Sequence, residues 1–260
     1  MTPIASAHRG DSSVHRENTM PAVRSAIEKG AGYVEIDVRL TADGDVVVLH
    51  DPTLTRLWGD ERAIADTPTA DLLAFGGLEE RPPLLADVLP LFIGVSSLLV
   101  IDMDDVAFAA PSHRVVAEVL GGTGVAVDWC GDITAMRLLR EIDADARVWL
   151  PWRELRPPTD DELAAIRPVT VNAPYHAMTA EIAAAVHNAG SSVTVWTVDD
   201  PEVMRAVIAM GADTITSNRL DLLHEVLAEA QLAQAPLAEP QIAEPHLAEP
   251  HLQLNQEAAR

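Results

Sequence analysis

Residues 192–218, "SVTVWTVDDPEVMRAVIAMGADTITSN", contain a complete strand–helix–strand unit, and this unit decides the fold. The apolar runs at 192–198 and 213–218 have the composition of buried strands. Between them, residues 201–211 carry a helical pattern that ends in glycine, the residue that commonly follows a helix. Because strands joined through a helix pair in parallel, the stretch predicts one βα repeat of a parallel sheet.

The same alternation of apolar runs and helical patterns extends over most of the chain. Six further strand candidates are PIASAH (3–8), YVEIDV (33–38), SLLVID (97–102), VAVDW (125–129), ARVWLPW (146–152) and TVNAPY (170–175). Eight strands in about 220 residues is the count of a TIM barrel, so we predict an α/β fold with a (β/α)8 barrel over residues 1–228. A doubly wound open sheet is the alternative, but no glycine-rich phosphate loop of standard spacing supports it.

One unit, YVEIDVRLTADGDVVVLHD (33–51), departs from this rhythm. Only a short turn separates its two apolar runs, and Asp43-Gly44 is a strong hairpin signal. A parallel crossover needs more residues, so the second run is predicted to return antiparallel to the first. We therefore expect a short β-hairpin inserted after the second barrel strand. With Asp43-Gly44 at the turn, His50 lies opposite Asp37, to within about one residue.

The composition narrows the classes of protein to which the chain can belong. It has 260 residues, with 18 basic against 40 acidic residues and a formal charge of -22, which disfavours nucleic acid and anionic membranes as partners. No apolar segment approaches the ~20 residues of a membrane span, and the N-terminus lacks a signal-peptide pattern. The single cysteine, Cys130, excludes an internal disulfide and is compatible with a cytoplasmic location. The oligomeric state stays open.

The end of the chain has a different composition. Residues 229–260 are rich in Pro, Ala and Glu, and PLAEPQIAEPHLAEPHLQL repeats a proline with a period near five. Proline at that frequency is incompatible with a regular helix, so we predict a disordered or extended tail. Docking of this tail on a partner is the alternative.

Four acidic side chains lie near the ends of two predicted barrel strands. Glu35 and Asp37 belong to the second strand, and Asp102 and Asp104 to the end of the third. Each pair is spaced i, i+2, so both members point to one face of their strand. The active site of a TIM barrel lies at the C-terminal strand ends, where four converging carboxylates would repel one another. A divalent cation resolves this repulsion, and oxygen ligands suit Mg2+, Ca2+ or Mn2+.

Two histidines and an arginine complete the predicted site. His8 and Arg9 end the first strand, and the hairpin brings His50 over the acidic end of the second. The histidines can serve as proton donor and acceptor, and Arg9 can hold a phosphate oxygen. Each of these features, the acidic pairs and the His-Arg and His-Asp sequences, is most often part of a solvated surface or a turn when it occurs alone. Their coincidence at strand ends favours an active site.

Other residues near the strand ends have both a structural and a functional interpretation. Asn18 or Thr19 can cap the helix that begins near Pro21. Alternatively, Glu17 and Asn18 support His8 and the rim of the site. Tryptophans that could line the pocket, or pack in the core, are Trp129, Trp152 and Trp196.

These residues stand in motifs that closely resemble the glycerophosphodiester phosphodiesterase family. The resemblance is carried by AHRG, ENT and GAGYVEIDVRLTADGDVVVLHDPTLTR within residues 7–56, and more weakly by PPLLADVL and by residues 193–218. It extends from residue 4 to about residue 224 and implies a TIM barrel with a small inserted element. It also implies hydrolysis of phosphodiesters with a divalent metal, with His8 and His50 as the acid/base pair. Arg9 would then bind phosphate, and Glu35 and Asp37 would bind the metal.

The chain departs from the family pattern at two places. The third metal ligand of the family is the Glu of a Glu-x-Lys motif, which reads Asp102-Met103-Asp104 here, so the resemblance makes Asp102 the ligand and replaces a lysine by an acid. The only lysine, Lys29, lies at the end of the first helix. Asp104 could recruit a second cation, or an arginine could supply the missing charge; the candidates are Arg39, Arg153 and Arg219. The family's C-terminal Thr-Asp is Ser217-Asn218.

We therefore expect a metal-dependent phosphodiesterase that hydrolyses glycerophosphodiesters to an alcohol and glycerol 3-phosphate by histidine acid/base catalysis. One alternative within the class is a lysophospholipid or specialised diester as substrate, with an apolar mouth around Trp58 or Phe75. A non-catalytic phosphodiester-binding barrel is the alternative from another class, motivated by Asp104 and Asn218.

Overall fold

The computed structural model of the chain describes residues 2–234, and its centre is a closed barrel of eight parallel strands. In register, His8 pairs with Glu35, Asp37 with Asp102, and Ala7 with Ser217, which closes the ring. The predicted TIM barrel is confirmed. The strands in chain order are β1 (Ile4–His8), β2 (Tyr33–Leu40), β3 (Val46–Val48), β4 (Leu98–Met103), β5 (Val127–Gly131), β6 (Arg147–Pro151), β7 (Thr170–Pro174), β8 (Ser192–Trp196) and β9 (Thr214–Ser217).

Helices follow the barrel strands and cover the outside of the ring. Buried apolar side chains of the strands, such as Ile36 and Ile101, form one continuous core with the apolar faces of these helices. The helices are α1 (Met20–Glu28), α2 (Thr55–Trp58), α3 (Thr69–Leu73), α4 (Leu85–Val88), α5 (Ala109–Leu120), α6 (Ile133–Ile142), α7 (Asp160–Ile166), α8 (Ala180–Asn188), α9 (Pro201–Met210) and α10 (Leu220–Gln234).

The segment between β2 and β4 contains the predicted hairpin. β3 runs antiparallel to β2, with Val38 opposite Val48, and lies outside the ring. Leu49 donates its backbone N–H to the carbonyl of Asp37 at 2.9 Å, so Leu49 rather than His50 faces Asp37. This one-residue offset lies within the predicted tolerance and arises at the turn, where Gly44 adopts a positive φ of 82°. The three short helices α2 to α4 follow the hairpin before the chain re-enters the barrel.

The inside of the barrel is filled below the strand ends. Trp149 is buried and packs with Val100 and Cys130, and the edge of its ring contacts Tyr33 with ring centroids 5.4 Å apart. Its indole N–H donates to Asp128 Oδ2 at 2.8 Å, so this large side chain is buried with its polar atom satisfied. Trp149 therefore forms a rigid floor beneath the C-terminal mouth of the barrel.

The last helix extends past the predicted end of the globular part. α10 runs to Gln234, so residues 229–234, which the sequence pattern assigns to the tail, are helical. The physical reason is that this segment lacks proline, which first returns at Pro236. The remainder of the predicted tail, residues 235–260, lies outside the described residues. None of the helices within residues 2–234 is both long and apolar enough to span a bilayer.

Candidate active site

His8 ends β1 and is held by a chain of hydrogen bonds from residues that follow the neighbouring strands β9 and β8. Its Nδ1 lies 2.7 Å from the Oδ1 of Asn218, whose amide nitrogen donates to Asp199 Oδ2 at 2.7 Å. Asp199 thereby fixes the amide orientation, Asn218 offers an acceptor, and Nδ1 of His8 carries the proton. Burial, together with the positive charge of Arg9, lowers the pKa of His8. The imidazole is therefore neutral near pH ~7, with Nε2 free to accept a proton.

Arg9 leaves β1 through a turn that only particular residues can make. Arg9 and Gly10 both have positive φ, 60° and 76°. A Cβ at Gly10 would lie 2.6 Å from the carbonyl carbon of Ala22, so glycine is required there on both counts. The turn directs the backbone N–H of Arg9 to Glu35 Oε2 at 2.9 Å, and places its Nε 3.2 Å from Asp37 Oδ2. The guanidinium thus lies directly beside the carboxylates of β2.

Glu35, Asp37 and Asp102 lie on neighbouring strands and face the same cavity. Burial raises the pKa of Glu35 well above its ordinary value, and the charges of Asp37 and Asp102 add to this rise. Burial and the charge of Asp37 raise the pKa of Asp102 to about 6, although the Cys130 thiol donates to Asp102 Oδ2 at 3.2 Å. The three carboxylates therefore repel one another, as expected of a site for a cation.

Glu17 and Asn18 support the arginine and the carboxylates rather than His8. The amide nitrogen of Asn18 donates to Asp37 Oδ2 at 2.7 Å, and the Asp37 N–H donates back to Asn18 Oδ1 at 3.2 Å. Glu17 accepts hydrogen bonds from Arg9 and Arg56. Although burial opposes it, these bonds lower the pKa of Glu17 to about 2. Neither Asn18 nor Thr19 caps α1 through its side chain, because Asn18 is bound to Asp37 and Thr19 donates to Arg16 O.

His50 follows the hairpin strand β3 and lines the same cavity as His8. Its Nδ1 lies 2.8 Å from Asp51 Oδ1, and Arg56 donates to the other oxygen of Asp51 at 2.6 Å. The backbone carbonyl of His50 accepts from Arg39 Nε at 2.6 Å. The imidazole is 44% exposed, against 18% for His8, so the two predicted acid/base residues occupy different environments within one cavity.

The donor chemistry around Glu35 suits a hard divalent cation. Glu35, Asp37 and Asp102 present only oxygen atoms, and their mutual repulsion would be relieved by a bound ion. Within residues 2–234, however, no three His, Cys, Asp or Glu side chains are already arranged to hold a metal ion. The reason is visible at Asp37, whose Oδ2 is shared by Asn18 and Arg9. These oxygen ligands are of the type that a divalent cation prefers. Cation binding would require the contacts of Asp37 with Asn18 and Arg9 to rearrange.

The far side of the cavity, which we call the aromatic wall, consists of Trp152, Arg153, Asn172 and Trp196 from β7, β8 and the loop after β6. The guanidinium of Arg153 lies over the Trp196 ring, 4.9 Å from its centroid. Two buried atoms of this wall, Asn172 Oδ1 and Trp196 Nε1, have no hydrogen-bond partner among the described residues. We call the side formed by His8, Arg9, Glu35, Asp37 and Asp102 the carboxylate wall. The cavity between the walls has a volume of about 900 Å³.

Some expectations about aromatic residues need correction. Trp129 is buried in the core, packs near His113, and does not line the cavity, whereas Trp152 and Trp196 do. Trp58 and Phe75 lie at a separate surface pocket beside Arg16, so they form no apolar mouth to the site. Trp58 and Phe75 lie at this pocket because they belong to the segment between β2 and β4, which packs around its own small hydrophobic core.

The supports of the two histidines could not be found by sequence reasoning. For Asp199, the only signal is its position directly after the predicted strand 192–198. Arg56 belongs to the motif of residues 7–56, but its bridge from Asp51 to Glu17 depends on the path of the insertion. Asn172 gives no signal beyond that of a polar residue within an apolar strand.

A TIM barrel with two histidines, an arginine and clustered carboxylates at its strand ends has the features of a phosphoric ester hydrolase. A sequence profile of the Glycerophosphoryl diester phosphodiesterase family matches residues 8–222, and the chain belongs to this family. The predicted resemblance and the class of phosphoric diester hydrolase are thereby confirmed.

Individual relatives agree with the family assignment. "Probable glycerophosphodiester phosphodiesterase 2" of Mycobacterium tuberculosis is 30% identical over 240 residues, which cover 86% of this chain and 90% of the relative. A glycerophosphodiester phosphodiesterase structure from Thermotoga maritima is 26% identical, with a TM-score of 0.70 over 87% of this chain and 99% of that one. The fold is also that of an Oleispira antarctica phosphodiesterase in complex with the product sn-glycerol-3-phosphate, with a TM-score of 0.80, 20% identity, and coverage of 87% and 97%.

Proposed function

We propose that this chain is a metal-dependent phosphodiesterase that hydrolyses glycerophosphodiesters to an alcohol and glycerol 3-phosphate. The observation that carries the proposal is the convergence of His8, His50, Arg9 and three carboxylates on one cavity of a member of this family. The glycerol 3-phosphate product bound to the Oleispira antarctica phosphodiesterase supports this choice of substrate class.

The two histidines divide the proton transfers. His8 is neutral and buried, its Nδ1–H is bound to Asn218, and its Nε2 can take a proton from the nucleophile. His50, beside Asp51 on the more open side, delivers a proton to the departing alkoxide. The nucleophile is water or a neighbouring hydroxyl of the glycerol group, and the second route forms a cyclic phosphate first. Both histidines line the cavity that would receive the phosphate, so one can serve the attacking group and the other the departing group.

Two positive groups on the carboxylate wall, Arg9 and a bound cation, would neutralise the charge of the phosphate. Arg9 lies beside Asp37 and can turn one guanidinium edge to a phosphate oxygen. Glu35, Asp37 and Asp102 would hold the divalent cation, which could be Mg2+, Ca2+ or Mn2+. When bound, such an ion stabilises phosphate charge and lowers the pKa of a hydroxyl or water.

The test is hydrolysis of glycerophosphocholine and related soluble diesters by the full chain, with glycerol 3-phosphate measured as product. We expect turnover that EDTA abolishes and that added Mg2+, Ca2+ or Mn2+ restores. Phosphorus NMR during the reaction identifies a cyclic phosphate if one forms. Unchanged turnover in EDTA would contradict metal dependence. Tight diester binding without turnover under every cation would favour the non-catalytic barrel instead.

A further inference from the structure

Arg39 and Asp104 form an ion pair at the rim of the active-site cavity. Arg39 lies in β2 two residues after Asp37, and Asp104 follows β4 two residues after Asp102, so both side chains line the cavity. Arg39 Nη2 is 2.6 Å from Asp104 Oδ2, and Arg39 Nε donates to the carbonyl of His50 at 2.6 Å. The Arg39 guanidinium therefore links the backbone of His50, a predicted acid/base residue, to Asp104 at the rim.

The two partners differ in how easily they can separate. The Asp104 side chain is 61% exposed, whereas that of Arg39 is only 14% exposed. An exposed carboxylate that leaves the pair is solvated at once, so the pair itself contributes little stability. The largely enclosed guanidinium, which also lies over the Phe108 ring, 5.9 Å from its centroid, remains in place and requires another anion. The arrangement suits exchange of Asp104 for an incoming anionic group.

We propose that Arg39 is a second phosphate-binding residue, and that Asp104 is its resting counter-ion, displaced when the substrate's phosphate enters. This inference rests on the proposed function and deepens it. Bidentate hydrogen bonds from a guanidinium to phosphate are stronger than a single bond to an exposed carboxylate, so the exchange favours the phosphate. The hydrogen bond from Nε to His50 O is kept throughout, so binding of the phosphate also fixes the backbone of His50.

The displaced carboxylate has a consequence for release of the product. A diester phosphate carries one negative charge, whereas a monoester carries between about 1.5 and 2 near pH ~7. Asp104 stays near the site and repels the monoester more strongly than the diester. Its negative charge therefore weakens product binding in particular, and competition for Arg39 promotes departure of glycerol 3-phosphate.

The experiment compares Arg39→Met, Arg39→Lys, Asp104→Asn and the double variant Arg39→Met/Asp104→Asn. We expect Arg39→Met to raise the KM of the diester about tenfold or more, with a smaller loss of kcat, and Arg39→Lys to recover part of it. Asp104→Asn should lower the inhibition constant of glycerol 3-phosphate about tenfold, and lower the KM less. In the double variant the effect of Asp104→Asn should fall to about twofold or less, because the direct repulsion by Asp104 is still removed but no guanidinium is released.

A matched control variant separates this role from a general effect of negative charge in the cavity. Asp161→Asn removes the same charge from another part of the cavity lining, and Asp161 makes no ion pair among the described residues, so inhibition should change by less than about twofold. Circular dichroism of each variant checks the fold, and Arg39→Lys keeps the test usable if Arg39→Met unfolds.

Several results would overturn the proposal. These are an unchanged KM in Arg39→Met, or an effect of Asp104→Asn that keeps its full size without Arg39. A higher cation requirement in Asp104→Asn would make Asp104 a metal ligand instead. If the wild-type chain turns over no diester, the proposed function fails. Calorimetric affinity for inorganic phosphate in the same four variants still tests the Arg39 pair separately, with tighter binding expected only in Asp104→Asn.

Discussion

The two walls of the active-site cavity differ in how completely their polar groups are bonded. On the carboxylate wall, His8 Nδ1, Arg9 Nη1 and Asp37 Oδ2 are bound to the side chains of Asn218, Glu17 and Asn18. The buried Arg9 Nε lies 3.2 Å from Asp37 Oδ2 as an ion pair and has no hydrogen-bond partner among the described residues. On the aromatic wall, Asn172 Oδ1 and Trp196 Nε1 are buried without partners among the described residues. Buried polar groups without partners are uncommon and costly.

We infer that the carboxylate wall, apart from the bonds of Asp37 that cation binding would rearrange, is organised before substrate binds, whereas the aromatic wall is completed by the substrate. A preorganised set of charges lowers a reaction barrier because it needs no reorganisation during the reaction. Unpaired polar atoms next to stacked arginine and tryptophan suit recognition of a variable alcohol group. Substitutions on the carboxylate wall should therefore reduce kcat, and those on the aromatic wall should change KM.

The largest effect is expected for the proposed acid/base pair, His8 and His50. His8→Gln and His50→Gln should each reduce kcat by about 10²- to 10⁴-fold, because each removes a proton transfer. Trp196→Phe on the aromatic wall should reduce kcat by less than about tenfold. Steady-state kinetics with a soluble glycerophosphodiester provide the measurement. Equal losses in the histidine and tryptophan variants would remove the distinction between the walls.

The next effect concerns the support of His8. Asn218→Leu should lower kcat about 10- to 100-fold, because Nδ1 loses the acceptor that fixes the tautomer. Asn218→Asp keeps an acceptor and adds a negative charge, which raises the pKa of His8 from its lowered value. Because a base must be neutral to act, the acid limb of the pH–rate profile should then move to higher pH. A profile that stays in place in Asn218→Asp would show that His8 is not the base.

A smaller effect should appear on the aromatic wall. Arg153→Gln removes the cation that stacks on Trp196 and leaves the catalytic residues intact. We expect KM to change about three- to tenfold, by different factors for diesters with different alcohols, while kcat stays within about twofold. KM values for glycerophosphocholine and glycerophosphoinositol provide the comparison. A uniform loss of kcat for both substrates would place Arg153 with the carboxylate wall.

The smallest effect is on stability, at the edge of the carboxylate wall. Arg56 and Arg9 lower the pKa of Glu17 from 4.5 to about 2, so its stabilising contribution is present above pH ~4.5 and is lost as the pH falls towards 2. Glu17→Gln should lower the free energy of unfolding by about 1 kcal/mol at pH ~7, after allowance for solvent screening, and by less at pH ~3. Urea unfolding at both pH values measures these changes in the free energy of unfolding.

The exposed pair Arg24–Glu79 provides the control, since Glu79→Gln should change stability by less than about 0.5 kcal/mol. Equal losses for Glu17→Gln at both pH values would contradict the assigned ion pairs.

The barrel can be predicted from the sequence because each strand is a local apolar run and each connection has a helical pattern. Asp43-Gly44 predicts the hairpin, but the predicted register differs by one residue because the turn geometry depends on backbone angles that sequence does not fix. The predicted start of the tail at residue 229 lies within α10 because composition changes gradually before the first proline at Pro236.

The candidate site can be predicted only where its residues share a motif or a strand. The carboxylates of β2 and β4 follow from i, i+2 spacing, and the resemblance indicates the histidines. The contacts of Asn218 with His8, and of Arg39 with Asp104, join residues 210 and 65 positions apart. Such contacts depend on the side-chain orientations in the folded chain, which a single sequence does not specify.

The central claim is that His8 and His50 act as one acid/base pair on a phosphodiester. It is tested most directly by kcat for glycerophosphodiester hydrolysis in His8→Gln, His50→Gln and the variant that carries both changes. Residues that act as a unit are non-additive, so we expect the double variant to be no more than about tenfold slower than the slower single variant. Losses that multiply fully in the double variant, or a single variant with wild-type kcat, would contradict the paired role.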